Sequence, residues 1–450
     1  MPILPIDAGR YGSNEMKMIF EEEKSLEYQL EFEAVVAEVQ AELGLIPIDA
    51  SKEILEIVKS KRIKIKRIKE LESRTEHDTA AMVEAISELS NIAKPWIHYG
   101  LTSYDVIDTR ISMQVRDALI IIKDKLKQII RILIGYAEKY KDLPAVGRTH
   151  GQHASIISFG LKFAVWLTDL IAHLEHLDEL KHRVLLCKTL GVVGTGSLMG
   201  RNALKVQEMV SKRLGLYAVD AATQVISRER IAELLQFIAL VGSTLDKIAI
   251  EIRNLQRSEI YEVAEPFREG QMGSSAVPVK RNPIKSERIS SLARILRANS
   301  NISLENIGLW HERDLSNSAN ERFIIPTSFI LLDEMLNDML KVLNGLKINE
   351  ERIKANIELS KGQIFAEFVL DAMIKKGIAR SDAYRLVQRI AFNAYERNLN
   401  LLEALKMEED ILKILTINEL EEIFNAKNHL AAAPLIIENV IKKARNIIAH

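Results

Sequence analysis

A single cysteine, Cys187, occurs in 450 residues. One thiol cannot build an internal disulfide framework or a Cys-rich metal site, and the scarcity fits a reducing compartment. An excess of charge of either sign is also missing. Against 61 Lys and Arg stand 62 Asp and Glu, for a formal net charge of −1. This argues against a nucleic-acid protein cationic over its whole surface, while local basic patches stay open. No apolar run reaches the roughly eighteen residues needed to span a bilayer. The opening MPILPIDAGRYGSNEMK has no basic segment followed by an apolar stretch, so no secretory signal is read and a soluble, cytoplasmic protein is expected. Strand-like alternation is scarce, and no proline falls between Pro144 and Pro266.

Helical periodicity fills the space these absences leave. Leu119, Leu126, Ile130 and Leu133 recur at helical spacing, as do Ile231, Leu234, Ile238, Val241, Leu245, Ile248, Ile252 and Leu255. The second series runs for about seven turns, near 37 Å at 1.5 Å per residue. The reading is an all-α protein whose long helices pack as a bundle. Three consecutive segments are expected: 1–111 with shorter helices, 112–352 with the long helices, and a smaller helical domain over 353–450. Apolar stripes this wide also suggest oligomerisation, since one chain does not readily cover every face.

One segment breaks the helical pattern. Residues 273–287, GSSAVPVKRNPIKSE, hold a serine pair, two prolines, several basic side chains and Asn282. With the flank EPFREGQM (265–272) this makes a connection of roughly twenty residues. Loops longer than about 12–15 residues inside a compact domain are usually functional or disordered. The composition suits the collection of a polyanionic substrate and stabilisation of a developing oxyanion; the bland alternative is a solvated basic linker.

Four further segments are dense in site-forming residues: ESRTEHDTAAM (72–82), WIHYGLTSYDVIDT (96–109), GRTHGQHA (147–154) and WHERDLSNSANER (310–322). Structural readings stand beside each. Thr102 and Ser103 suit a helix N-cap, and Arg313 and Arg322 suit ion pairs with Glu312 or Glu321. His98, His153 and His311 fit packing or chemistry equally well, whereas His173 and His176 read as packed or solvated. The His150–x–x–His153 and His173–x–x–His176 spacings invite zinc, but no carboxylate or cysteine set completes either site. GVVGTGS (191–197) lacks the Lys-Ser or Lys-Thr of a phosphate loop and follows no convincing strand.

Taken together, the segments resemble one enzyme family. The 273–287 loop is similar to the SSxMPxKxNP signature of the fumarase/aspartase superfamily. GRTHGQHA, LTSYD, RNPIKSE, WHERD with SANER, and Arg10–Tyr11 narrow the resemblance to its adenylosuccinate lyase branch, from about residue 10 into the C-terminal region. Val277 departs from the pattern, standing where the superfamily usually has Met. Argininosuccinate lyases and fumarases usually follow the histidine of the third segment with Leu-Gln rather than Gly-Gln. A non-catalytic structural homologue is the other alternative.

The resemblance implies an all-α long-helix bundle assembled as a homotetramer with a twenty-helix core, each site drawing residues from three subunits. It also implies no metal, no organic cofactor, and purine nucleotide substrates that lose fumarate by β-elimination. Ser274 would be the base and His150 the acid, with Glu287 supporting that histidine. Lys280 and Asn282 would stabilise the carbanion formed next to a carboxylate. His77 would be a second active-site histidine, supporting the substrate or protonation of the leaving group. Arg10, Tyr11, Arg313, Ser318 and Arg322 would hold the phosphate and nearby groups. Thr102, Ser103, Thr149 and Gln224 would meet the succinyl carboxylates, with Arg74, Asp78 and Ser275 as further substrate contacts. No role is read for nucleic acid or membrane.

Overall fold

The structure is a computed structural model and describes residues 3–449. Eighteen α-helices dominate the described residues, with a few short strands. The chain opens with α1 (Asn14–Phe20), α2 (Glu22–Glu42), α3 (Ile48–Lys59), α4 (Ile65–Thr75) and α5 (Asp78–Glu88). The long helices follow: α6 (Ser103–Lys139) and α7 (Phe159–Val184), then, after the short α8 (Ala203–Arg213), α9 (Glu229–Leu255), α10 (Ile284–Glu305) and α11 (Ser318–Asn344). Seven shorter helices, α12 (Glu350–Glu358) to α18 (Ala433–Ala449), complete the chain. At 1.5 Å per residue, the 37-residue α6 is about 55 Å long.

The expected apolar stripes are the buried faces of these helices. Leu126, Ile130 and Leu133 of α6 are wholly buried, as are Leu234, Val241, Leu245, Ile248 and Ile252 of α9. Helix α11 carries Pro326 in its interior. A proline there has no N–H to give the carbonyl four residues earlier, which belongs to Arg322. Cys187 is buried, and loss of solvation pushes its thiol pKa up to about 12, so it stays protonated and inert.

Contacts within the chain group its residues into two compact units. The first comprises residues up to Lys125, His173–Asp246 and Arg288–Asn337; the second comprises Leu126–Ala172, Lys247–Glu287 and the residues from Asp338 onward. Among the described residues, the second unit contains the one substantial sheet element, an antiparallel hairpin of β1 (Pro144–Thr149) and β2 (Gln152–Ser158). Its buried Val146 and Ile156 pack against Ile357, Ile364 and Phe365, fixing the hairpin to α12 and to the short turn of helix that follows it. A separate apolar cluster around Val369, Met373, Val387, Leu401, Leu405 and Leu420 organises helices α13 to α17.

Candidate active site

In the first unit, buried charge fixes the polar groups. Asp105, in the first turn of α6, accepts a hydrogen bond from the Thr102 N–H at 2.8 Å and one from the Gly191 N–H at 3.0 Å. It also pairs with the fully buried Lys188, whose ammonium donates to the Gly191 carbonyl at 3.1 Å. Asp105 thus bonds the backbone at the start of the helix, and neither the Thr102 nor the Ser103 hydroxyl is hydrogen-bonded within the chain. Both are half-buried and free to meet a ligand.

Deeper along α6, Arg228 lies between Asp108 at 2.7 Å and Glu321 at 3.1 Å, all three buried. Burial works against its charge, but the two carboxylates outweigh it and hold the guanidinium above its ordinary pKa. Since Arg228 occupies Glu321, Arg322 pairs with Asp78 instead, at 3.2 Å. Arg313 makes neither of the ion pairs that stood as its structural alternative. Its guanidinium lies 3.7 Å from the centroid of the Tyr104 ring and donates to the Gln224 Oε1 at 2.9 Å. Its Nε and Nη2 are buried without a partner, two donors awaiting an acceptor. Asp78, Tyr104, Ser318 and Arg322 line one cavity of about 480 Å³, to which Arg110 also contributes.

His77 is the N-cap of α5, its Nδ1 accepting from the Ala80 N–H at 3.2 Å. An accepting Nδ1 leaves the proton of the neutral ring on Nε2, so the side chain presents an N–H donor outward. Arg74 is exposed, 3.8 Å from Glu84. Arg10 is also exposed, its guanidinium 5.9 Å from the Tyr11 ring centroid. The next residues anchor this stretch to α11: the Gly12 N–H donates to Glu334 at 3.0 Å and the Ser13 N–H to Asp333 at 2.7 Å.

The second unit carries the remaining candidates. Thr149 ends β1, and His150 with Gly151 forms the two-residue turn of the hairpin, at φ of 52° and 74°. Two positive φ values match the twist of the flanking strands, so an exposed histidine is displayed at the tip. The strand below is locked by Arg148, which binds the buried Glu262 at 2.6 Å, while Asn356 donates to the same carboxylate at 2.8 Å. Burial and repulsion from Arg148 hold the His153 imidazole below its ordinary pKa.

The 273–287 loop is closed at its neck. Asn282 Nδ2 donates to the Gly273 carbonyl at 2.9 Å, Gln256 donates to the Arg281 carbonyl at 2.9 Å, and Arg281 stacks 5.3 Å from the Phe267 centroid. Only glycine fits at 273, because a Cβ there would lie 2.0 Å from the Lys280 carbonyl oxygen. Within the loop, Ser274 Oγ accepts from the backbone N–H of Val277 at 3.1 Å and of Ala276 at 3.3 Å. The Ser275 hydroxyl has no bond, and the exposed Lys280 ammonium is unpaired. Glu265 receives the Ser286 N–H at 2.8 Å and the Lys285 N–H at 3.3 Å, capping α10. That cap sets Glu287 in the exposed first turn beside Lys280, Asn282 and Arg257, on the wall of a cleft of about 1010 Å³. His150 and Glu287 are not hydrogen-bonded to each other in the chain.

Residues 9–296 match the family model described as Lyase, and residues 362–440 match the one described as Adenylosuccinate lyase C-terminus. The protein named adenylosuccinate lyase from Pyrococcus abyssi is 45% identical over 98% of both chains. The one from Methanocaldococcus jannaschii is 42% identical, over 99% of this chain and 97% of its own. The chain belongs to the adenylosuccinate lyase family. The crystal structure of a fumarate lyase from Mesorhizobium sp. BNC1 superposes with a TM-score of 0.90 at 29% identity, covering 98% of this chain and 100% of that one.

Seen as an adenylosuccinate lyase family member, the chain holds several positioning groups that motif reading passed over. Glu262, Glu265 and Gln256 fix the hairpin, the start of α10 and the neck of the loop, and Tyr104 forms the bed for Arg313. Their sequence signal was thin: two carboxylates in YEVAEPF just before the loop, and a tyrosine inside LTSYD. His173 and His176 are packing residues, as their helical setting suggested. His173 bonds Thr244 at 2.8 Å, and both rings lie edge-on to Phe237.

Proposed function

We propose that the chain catalyses β-elimination of fumarate from adenylosuccinate, giving AMP, and from SAICAR, giving AICAR. The observation that carries the reading is the pair of backbone N–H groups bonded to Ser274 Oγ. A serine hydroxyl is a base only when its alkoxide is stabilised, and hydrogen bonds to the charged form provide that stabilisation. Ser275 receives no such bond, which favours Ser274 as the base of the pair. The departure at Val277 leaves this device intact, because the donor is its backbone N–H rather than its side chain.

Ser274 takes the proton from the carbon beside a succinyl carboxylate. Charge then spreads into that carboxylate, where the unpaired Lys280 ammonium and Asn282 stabilise it electrostatically. His150 protonates the departing nitrogen, and the C–N bond breaks to release fumarate. His77 donates from Nε2 to bound substrate. The half-buried hydroxyls of Thr102 and Ser103, with Thr149, Gln224 and Ser275, receive the carboxylates; Arg74 and Asp78 complete the surroundings. Arg10, Tyr11, Arg313, Ser318 and Arg322 hold the phosphate end, Arg313 through its two unpartnered donors.

The active assembly in this reading is a cytoplasmic homotetramer. Ile120 of α6, Val165 of α7, Leu240 of α9 and Ile295 of α10 are exposed apolar side chains on long helices, and a shared helical core would cover them. The exposed His150, lacking a bond to Glu287, fits a site in which the supporting carboxylate comes from another copy. The same reading keeps three consecutive segments, 1–111, 112–352 and 353–450, as the domains of the subunit.

Fumarate absorbance, followed with adenylosuccinate, SAICAR and argininosuccinate as separate substrates, tests the assignment. Release from the two purine substrates alone is expected. Turnover of argininosuccinate alone, or of none of the three, would refute it.

A further inference from the structure

Arg110 has no place in the machinery described above, yet it lines the same cavity as Asp78, Ser318 and Arg322. It lies on one face of α6 with Tyr104, Ile107 and Gln114, opposite the first turns of α11. The side chain is half-buried and its Nε is wholly out of solvent with no hydrogen-bond partner. The single bond it makes is a long one, from Nη1 to the Ser25 hydroxyl at 3.4 Å, and that oxygen already accepts from Gln114 at 3.0 Å.

Most other charges near this cation are engaged. Asp78 pairs with Arg322, Glu321 and Asp108 with Arg228, and Lys69 with Glu22; Glu72 lines the cavity but forms no ion pair with Arg110. Burial pushes the Arg110 pKa down from its ordinary value, against the attraction of Asp78 and with added repulsion from Arg322. Arg228, in the same unit, shows the opposite behaviour because its carboxylates are in contact. Removing a guanidinium from water without a counter-charge is costly. A 27-residue helix, α11, also begins at Ser318 on this cavity and directs its positive end there.

We propose that Arg110 is an additional binding residue for the phosphate monoester of the substrate, gripping it from α6 while Arg322 and Ser318 grip it from α11. A phosphate dianion accepts from two guanidinium groups at once, supplies the missing counter-charge, and caps the first turn of α11. The inference rests on the nucleotide-lyase reading for the identity of the phosphate bearer. The physical requirement for an anion at Arg110 is independent of it.

The test uses the full-length assembly and the variants Arg110→Met and Arg110→Lys. Losing one charge-assisted contact should raise KM for adenylosuccinate and weaken AMP binding by about 10–100-fold, with the loss concentrated in KM rather than kcat. Arg110→Lys should fall between. Inorganic phosphate should raise the Tm of the parent and not that of Arg110→Met. The ligand-free Arg110→Met should melt no lower than the parent, since an uncompensated buried charge has been removed; a purely structural arginine would lower the Tm. AMP affinity and phosphate protection equal to the parent in Arg110→Met would overturn the inference, and so would a Tm fall without a KM change. If the parent releases no fumarate from either purine substrate, the functional reading falls alone, and calorimetric titration with phosphate still decides the role of Arg110.

Discussion

Arg228, a buried cation beneath the candidate anion binders, and Lys280, a cation of the proposed machinery, have surroundings that could hardly differ more. Arg228 is buried, held by Asp108 and Glu321 and by a bond to the Ile226 carbonyl at 2.9 Å. Lys280 is exposed on a loop, its ammonium unpaired. Around Arg228, paired charges tie α6 and α11 to the segment entering α9, while Asp105 with Lys188 sets the start of α6 at Thr102–Ser103, and Tyr104 with Gln224 sets Arg313. Around Lys280, the loop is held at its neck by Asn282, Gln256 and the Phe267–Arg281 stack, while Ser274 is half-buried and residues 275–280 are exposed. The contrast suggests a division of labour for the proposed reaction: anion recognition would be preorganised by packing, and proton abstraction would fall to a solvent-facing loop.

Removing chemistry from the loop should leave the fold untouched. Ser274→Ala is expected to lose about 10²–10⁴ in kcat, with circular dichroism and Tm equal to the parent; a variant with near-parental turnover would break the comparison on the loop side. Breaking the buried cluster should do the reverse. Arg228→Met leaves Asp108 and Glu321 facing each other without a cation, and denaturant titration should record a loss of about 3–5 kcal/mol. A change within experimental scatter would mean the cluster is not what holds the first unit together.

Gly273→Ala sharpens the boundary between the two regimes. Its Cβ cannot be accommodated against Lys280 while the neck stays closed, so turnover should fall about tenfold or more, within the range for misplaced catalytic groups. Stability should fall by less than in Arg228→Met, since the strain falls on a loop rather than on a buried charge cluster. Parental turnover would show that neck closure is dispensable.

The smallest effect concerns pH. His98 Nδ1 lies 2.6 Å from the buried Glu33. Burial opposes the imidazolium, but the charge and hydrogen bond of Glu33 prevail and raise the His98 pKa above its ordinary 6.5. A raised folded pKa contributes stability that is fully present below 6.5 and is lost as pH rises through the folded value. The Tm gap between the parent and Glu33→Gln should therefore be widest in mildly acidic buffer and narrow toward alkaline pH. A gap that widens with pH would reverse the assignment.

Much of this arrangement was legible in the residues. The eight-residue apolar series from Ile231 to Leu255 required α9, and the polar, proline-bearing 273–287 segment could not continue a helix. The dense motifs named the candidate acid, base and anion binders. The β1–β2 hairpin under His150 was not legible, because GRTHGQHA has no alternation of apolar and polar residues at its tip. The partners of Arg313 and Arg322 were not legible either: the neighbouring glutamates were one structural option, but Glu321 belongs to Arg228 and Arg313 stacks on Tyr104.

The sequence by itself determined the helical architecture, the family and the chemical types at the candidate site, since periodicity and motif spacing are local properties of the chain. Only the tertiary structure decided which of two adjacent serines receives backbone donors, which carboxylate each arginine meets, and that Arg110 meets none. These outcomes depend on side chains brought together from distant stretches into places water leaves, where an unpaired charge or donor carries a cost that no local pattern records.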